Sequence, residues 1–208
     1  MTTHFYAFGS ICRGEVDRGS DVDLLACVSS TPQSEIDPKK FSIYTYDRLR
    51  DLWAEGNPFA WHLHLESRLL FSSDSTDFIA LLGKPAEYQN ASRDCSKFLR
   101  LFRESRESLL TSENSEIFHL SCIFLSIRNF ATCSSFLKGR PIFSRKSPLL
   151  VDPPLPISEE QFDIFARARI LSTRGYGLTL SSNDLLIAKK CLSDIDGWMN
   201  YFQIASEK

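Results

Sequence analysis

The sequence predicts an α+β protein in which a small mixed-sheet domain precedes an all-α helical bundle. Short strand-like segments occupy the region before residue 84, and longer amphipathic helical patterns follow it. Pro85 marks the change between the two patterns. We therefore expect two domains, residues 1–84 and 85–208, for which a chain of 208 residues is long enough.

Composition favours a soluble globular protein. Hydrophobic residues make up 43% of the chain and charged residues 24%, which argues against disordered and fibrous classes. The net charge of −2 argues against a protein that coats nucleic acid non-specifically, although a local basic patch could still hold a phosphate-bearing ligand. Six cysteines without a CxxC pair favour buried thiols in a reducing cytoplasm.

No membrane association is predicted. Residues 1–7 lack a basic segment followed by a long apolar run. No later stretch approaches the roughly 18 apolar residues of a membrane helix. We expect a soluble and unprocessed protein.

The predicted sheet is built from short segments at the start of the chain. Residues 4–8 form either the end of a helix or a first strand, which leads into a turn at Gly9-Ser10. Residues 21–28 form a strand whose two aspartates point to one face. The next strand, residues 41–46, is expected beside it.

Two helices and a further strand are predicted next. Asp47 is a candidate N-cap for a helix through Trp53, which Gly56-Asn57-Pro58 interrupts. Residues 61–66 alternate like a strand but also follow a helix start at that proline. The helix is favoured, and residues 68–71 then form a strand.

The second half predicts helices separated by breaks rich in proline and glycine. One helix begins near residue 91, and another spans residues 115–137. Residues 148–156 form a proline-rich loop, after which Ser158 caps a helix that ends at Gly175 and Gly177. The last helix spans residues 183–205.

The turn and the two aspartates form the pattern that points to chemistry. Aspartates at i and i+2 on a strand can hold one or two Mg²⁺ ions, because hard cations prefer carboxylate and phosphate oxygens. Gly9 and Ser10 let backbone N–H groups and a hydroxyl approach a triphosphate, and Arg13 adds a cation. The alternative is an ordinary turn and a solvated strand edge. That alternative is disfavoured, because Asp21 and Asp23 repel each other unless a cation lies between them.

These residues resemble a known signature. Phe8-Gly9-Ser10, a gap of ten residues and Asp21-Val22-Asp23-Leu24 resemble the DNA polymerase beta-type nucleotidyltransferase superfamily. Arg13-Gly14 and Ser20 resemble its minimal nucleotidyltransferase branch. The resemblance implies a two-metal reaction in which an acceptor hydroxyl attacks a nucleoside triphosphate and pyrophosphate leaves. The residues that it assigns to the nucleotide are Gly9, Ser10, Arg13 and Ser20, and those that it assigns to the metals are Asp21 and Asp23.

The third carboxylate of that superfamily is not evident here. It usually comes from the neighbouring strand, but the interior of residues 41–46 contains no acid. Asp47 at the end of that strand or Glu66 farther along would then substitute, or the site has only two acids. Glu66 is the candidate for an additional catalytic acid.

The spacing of His62, His64 and Glu66 allows a second interpretation. On a strand these residues would aim three metal-ligand types at one side. On a helix His62 and Glu66 share a face while His64 diverges, and packing or surface roles suffice. We favour the second interpretation.

The helical half resembles the C-terminal domain of kanamycin nucleotidyltransferase or the HEPN ribonuclease fold. Residues 126–131 carry this resemblance. HEPN ribonucleases place a histidine shortly after an arginine, but Arg128 is followed by Cys133, Ser134 and Ser135 at the corresponding positions. Ribonuclease activity is therefore not predicted, and Arg128 either contacts a substrate or nucleotide or has a structural role.

Two functions follow from the sequence. The leading hypothesis is a nucleotidyltransferase that moves a nucleoside monophosphate, AMP being favoured, from ATP or another nucleoside triphosphate to a hydroxyl acceptor. The acceptor would be a protein, a tRNA end or an aminoglycoside, and homo-oligomerisation is left open. The rival is a non-catalytic nucleotide-binding or antitoxin-like regulatory module, which the missing third acid favours.

Overall fold

The structure is a computed structural model. It describes residues 2–15, 22–30, 36–112 and 114–206, without the side chains of residues 204–206. The chain divides into two compact units, Met1–Gln89 and Asn90–Lys208. The first contains a mixed sheet and the second contains helices, which confirms the predicted α+β class.

A mixed sheet of four strands organises the first unit within its described residues. The strands are β1 (Thr3–Phe8), β2 (Asp23–Val28), β3 (Phe41–Thr45) and β4 (Arg68–Ser72). Their order is β3-β2-β1-β4. The central strands β1 and β2 are antiparallel, β4 is antiparallel to β1, and β3 runs parallel to β2. The segment at residues 4–8 is therefore a strand, and β3 lies beside β2 as predicted.

Helices connect and cover the strands of this unit. They are α1 (Ser10–Arg13), α2 (Tyr46–Ala54), α3 (Pro58–Glu66) and α4 (Phe78–Leu82). Alternation along β2 directs Leu25 and Cys27 into a core that they share with Leu49 of α2 and Leu63 of α3. Asp23 is two residues before Leu25, so it lies on the same face of the sheet as Leu25 and Cys27, at the start of β2.

Local signals explain where the helices start. Asn57 caps α3 by accepting a hydrogen bond from the N–H of Phe59, and Pro58 occupies the first turn as predicted. The expectation that Asp47 caps α2 is wrong. Thr45 is the cap, because its hydroxyl accepts the N–H of Arg48 at the point where β3 ends, and Asp47 lies inside the first turn.

The second unit is helical throughout its described secondary structure. Its helices are α5 (Ala91–Thr111), α6 (Glu116–Leu137), α7 (Ser147–Leu150), α8 (Glu159–Arg174) and α9 (Ser182–Ser206). Ser158 caps α8 through a capping box with Gln161, and Gly175 ends it in the left-handed conformation, both as predicted. The short helix α7 interrupts the stretch that was expected to be a proline-rich loop.

Helix α6 forms the centre of the second unit. By length and composition it could cross a membrane, contrary to the expectation that no stretch approaches that length, but 67% of its most apolar 18 residues are buried inside the protein. Phe130, Ile127 and Ile123 on this helix are fully buried. The apolar character of α6 therefore matches its place in the core of the second unit.

Candidate functional site

The turn after β1 lies directly against the first residue of β2. Phe8 pairs with Asp23 in the antiparallel ladder, so Gly9 emerges beside the Asp23 carboxylate. A Cβ placed on Gly9 would stand 2.7 Å from Asp23 Oδ2. Gly9 also has a φ of +76°, which side-chain-bearing residues rarely adopt. Glycine is thus required here both by the backbone conformation and by the proximity of the carboxylate.

A single helical turn continues from Gly9. Helix α1 begins at Ser10 with Gly9 at its N-cap, and Gly14 closes it with a left-handed φ of +74°. The N–H groups at the start of a helix have no partner within that helix and attract anions. The start of α1 follows directly on Gly9, which lies beside the exposed Asp23 carboxylate.

Two predicted site residues cannot be compared with the structure. Ser20 and Asp21 lie outside the described residues. The proposal that Asp21 and Asp23 act as a pair therefore rests on their spacing in sequence. Asp23 itself is the first residue of β2, a strand that the alternating pattern predicted.

Arg13, at the end of α1, is bound to a carboxylate on another helix. Its Nη1 donates a hydrogen bond to Oε2 of Glu66, the last residue of α3. Nε2 of His62 lies 2.9 Å from the same oxygen. On the other side, Arg13 Nε donates to Glu15 at 3.0 Å. The structure thus brings together two predicted site residues, Arg13 and Glu66, and adds His62 to them.

This cluster is largely shielded from water. The side chains of Arg13, His62 and Glu66 are 19%, 17% and 14% exposed, respectively. The ring of His62 also meets the ring of Phe8 edge to face, with centroids 5.6 Å apart. Burial raises the pKa of the neighbouring Cys12 thiol, and the negative charge of Glu66 adds to that shift.

His64 does not join this cluster. It diverges from His62 and Glu66, as the helical interpretation predicted, and packs edge-on against Trp61 with ring centroids 6.1 Å apart. Burial lowers the pKa of His64, and Lys84 lowers it further. Within the residues that the structure describes, no group of three histidine, cysteine, aspartate or glutamate side chains could hold a metal ion.

Asp47 does not complete the site, contrary to one of the two expectations for the third acid. Strand β3 is parallel to β2 and pairs Phe41 with Leu24 and Thr45 with Val28. Asp47 lies two residues beyond Thr45, so it is at the opposite end of β2 from Asp23, and the length of β2 alone separates them by about 17 Å at about 3.3 Å per residue. Its carboxylate is exposed and accepts a hydrogen bond from Arg50 at 2.8 Å.

Arg128 in the second unit has a structural contact. Its guanidinium donates to the backbone carbonyl of Phe143 at 3.0 Å and to Asn129 at 2.9 Å. Ser147 donates in turn to the backbone carbonyl of Arg128 at 3.1 Å. These bonds join α6 to the segment that leads into α7, which supports the structural alternative for Arg128.

Sequence reasoning missed the contact between Arg13 and the pair His62 and Glu66. The i, i+4 spacing of His62 and Glu66 was the available signal, since such residues meet on a helix. The contact of Glu66 with Arg13 joins residues 53 positions apart, so no local sequence pattern indicates it.

Comparison with known proteins is consistent with this geometry. Residues 2–81 match the family model of the nucleotidyltransferase domain. The match spans the whole mixed sheet, the α1 turn and Asp23. A nucleotidyltransferase domain thus occupies the N-terminal unit, and nucleotidyl transfer is the general activity that it supports. No curated protein matches the sequence.

Proposed function

We propose that this protein transfers a nucleoside monophosphate, AMP being favoured, from a nucleoside triphosphate to a hydroxyl acceptor. The observation that carries the proposal is the contact between the Gly9 turn and the Asp23 carboxylate within a nucleotidyltransferase domain. The acceptor oxygen attacks the α-phosphorus and loses its proton, the bond to the β-phosphate breaks, and pyrophosphate leaves. The acceptor is a protein, a tRNA end or a small molecule such as an aminoglycoside.

The chemistry of the two aspartates suits a magnesium ion. Asp23 offers an exposed carboxylate beside Gly9, and hard cations bind carboxylate and phosphate oxygens together. Asp21 and Asp23 would hold Mg²⁺. When bound, the metal supplies positive charge that polarises the phosphate and stabilises the leaving pyrophosphate.

The protein's own groups orient the triphosphate. The N–H groups and hydroxyl at Ser10 would bind phosphate oxygens, and Ser20 would join the nucleotide site. Arg13, at the end of α1, would add positive charge to this site. We also propose that residues 85–208 form a separate helical domain of the kanamycin nucleotidyltransferase or HEPN type, and that the protein works in the cytoplasm.

A non-catalytic nucleotide-binding or antitoxin-like regulatory module is the second candidate. The observation that favours it is the composition of β3 at the Asp23 end. Phe41 pairs with Leu24 there, and Lys40 precedes it, so no acid stands beside Asp23 on that strand. Such a module would bind nucleotide without transferring it.

Incubation with α-labelled ATP and Mg²⁺ separates the two functions. The protein is tested alone and with cell lysate, beside Asp21→Ala/Asp23→Ala and the control Asp47→Ala at the far end of the sheet. Label transfer that the double variant loses and the control keeps supports the transferase. Mg²⁺-dependent binding without transfer supports the module, and absence of both, with other nucleoside triphosphates as well, overturns the nucleotide site.

A further inference from the structure

We infer that Glu66 and His62 position the phosphate-binding turn by holding Arg13 in place. This inference rests on the proposed function in one respect, namely that the Gly9-Ser10 turn receives the triphosphate. Glu66 is then a positioning residue, since it would act through Arg13 on the backbone of the turn.

Helix α1 needs such an anchor because it lacks a hydrophobic one. It has four residues, all of them described, and none is fully buried, Cys12 being partly buried. A single turn of helix is not stable by itself. Glycines at both ends, Gly9 and Gly14, have positive φ values and give the chain additional freedom there. Packing alone therefore does not fix the direction in which the N–H groups of the turn point.

The bond from Arg13 to Glu66 supplies the missing restraint. It is a charge-assisted hydrogen bond between side chains that are mostly shielded from water, where such bonds are stronger than at the surface. His62 Nε2 lies 2.9 Å from the same carboxylate oxygen and restricts its orientation. The opposing contact of Arg13 with Glu15 involves a carboxylate that is 41% exposed and only two residues away, so it cannot anchor α1 to the fold.

The anchor itself is rigid. Helix α3 is fixed to the sheet by Ala60 and Leu63, which are fully buried. The ring of His62 lies against Phe8, the residue that immediately precedes the turn. These contacts connect the two ends of the turn. Phe8, before the turn, packs against His62, and His62 lies beside Glu66. Glu66 in turn binds Arg13, after the turn, so both ends of the turn are restrained.

Substitution of Glu66 separates this role from metal binding. If Glu66 holds the turn, Glu66→Gln weakens ATP binding about fivefold or more at saturating Mg²⁺, as expected for loss of a charge-assisted bond. The Mg²⁺ concentration for half-maximal ATP binding stays unchanged. Arg13→Gln weakens ATP binding at least as much, and adding Glu66→Gln to it weakens binding no further, because Glu66 acts through Arg13.

The control is Glu55→Gln, at the C-cap of α2. Glu55 pairs with Arg48 at 3.0 Å, but both side chains are about half exposed and lie outside the cluster. This variant should bind ATP like the wild type. Thermal unfolding identifies any variant that does not fold, and hydrogen exchange in Arg13→Gln tests the same contact without nucleotide if Glu66→Gln fails.

Hydrogen exchange tests the restraint without any nucleotide. Amides of residues 9–14 should exchange faster in Glu66→Gln than in the wild type or Glu55→Gln. Unchanged exchange and unchanged ATP affinity would overturn the inference and leave the proposed function intact. A shifted Mg²⁺ midpoint with normal exchange would instead identify Glu66 as a metal ligand. Failure of the wild type to bind any nucleoside triphosphate would overturn the proposed function, whereas the exchange result would still decide whether Glu66 restrains the turn.

Discussion

Gly9 and Asp23 are so close that a Cβ on residue 9 would lie 2.7 Å from the Asp23 Oδ2 atom. This proximity follows from the antiparallel pairing of β1 and β2, in which Phe8, the last residue of β1, pairs with Asp23, the first residue of β2. The phosphate-binding turn and the metal-binding carboxylate of the proposed site are therefore positioned by the same pair of strands.

Gly9→Ala is expected to weaken Mg²⁺-dependent ATP binding about tenfold or more. The new methyl group would displace the Asp23 carboxylate, and displaced groups around a metal site commonly cost 10–100-fold in affinity, as an order of magnitude. The measurement is ATP binding by calorimetry with Mg²⁺ at a fixed saturating concentration.

Gly83→Ala is the matched control for this substitution. Gly83 has φ +66° and ψ −154°, close to the φ +76° and ψ −142° of Gly9, so both alanine variants carry similar backbone strain. No described atom lies within 4 Å of a Cβ at Gly83. Equal loss of ATP binding in the two variants would show that strain, and not the Asp23 contact, is responsible.

Signals confined to a few residues predicted much of the fold. The sequence predicted the start of α3 at Pro58 and the start of α8 at Ser158, because a cap acts on N–H groups within three residues. Thr45 was missed as the cap of α2, since a helix that begins directly at a strand end leaves no loop to mark it.

The candidate site was only partly predictable for a different reason. Spacing placed Asp23 on a strand beside a turn, but the direction of β3 depends on pairing between segments far apart in sequence. The parallel direction moves Asp47 away from the site. The contact of Arg13 with Glu66 likewise depends on how α3 packs on the sheet, which hydrophobic spacing alone does not specify.

Asp74 is expected to contribute to the acid sensitivity of the first unit. Its carboxylate accepts hydrogen bonds from the Thr76 hydroxyl at 2.8 Å, the Thr76 N–H at 3.0 Å and the Ser72 hydroxyl at 2.9 Å. These bonds lower the pKa of Asp74 from 3.8 to about 2, and the bond from the Thr76 hydroxyl has the largest effect. The folded protein therefore binds this proton more weakly than the unfolded chain does.

The sign of the pH effect follows from that difference. The contribution of Asp74 to the free energy of unfolding is complete above about pH 4 and is lost as the pH falls towards 2. Asp74→Asn should flatten the pH dependence of unfolding in this window, measured by urea denaturation at successive pH values. Asp47→Asn, which removes an exposed carboxylate on α2, is the control and should keep the wild-type slope. Identical slopes for all three proteins would contradict the prediction.

Phe130 is expected to be among the most sensitive positions of the helical unit. It is fully buried on α6, with ring centroids 5.6 Å from Trp198 and 6.2 Å from Phe202. Phe130→Ala would leave a cavity between α6 and α9 and lower the free energy of unfolding by about 3–5 kcal/mol. The measurement is urea denaturation followed by circular dichroism, which reports the helices.

Phe118 on the same helix provides the comparison. Its side chain is 56% exposed, so Phe118→Ala should change the free energy of unfolding by no more than about 0.5 kcal/mol. The two substitutions remove the same atoms from one helix and differ in burial. A similar loss at both positions would contradict the prediction, because alanine is the better helix former and burial against α9 would then not explain the loss at Phe130. Unequal losses in the expected order would show that the apolar surface of α6 is used for packing within the protein.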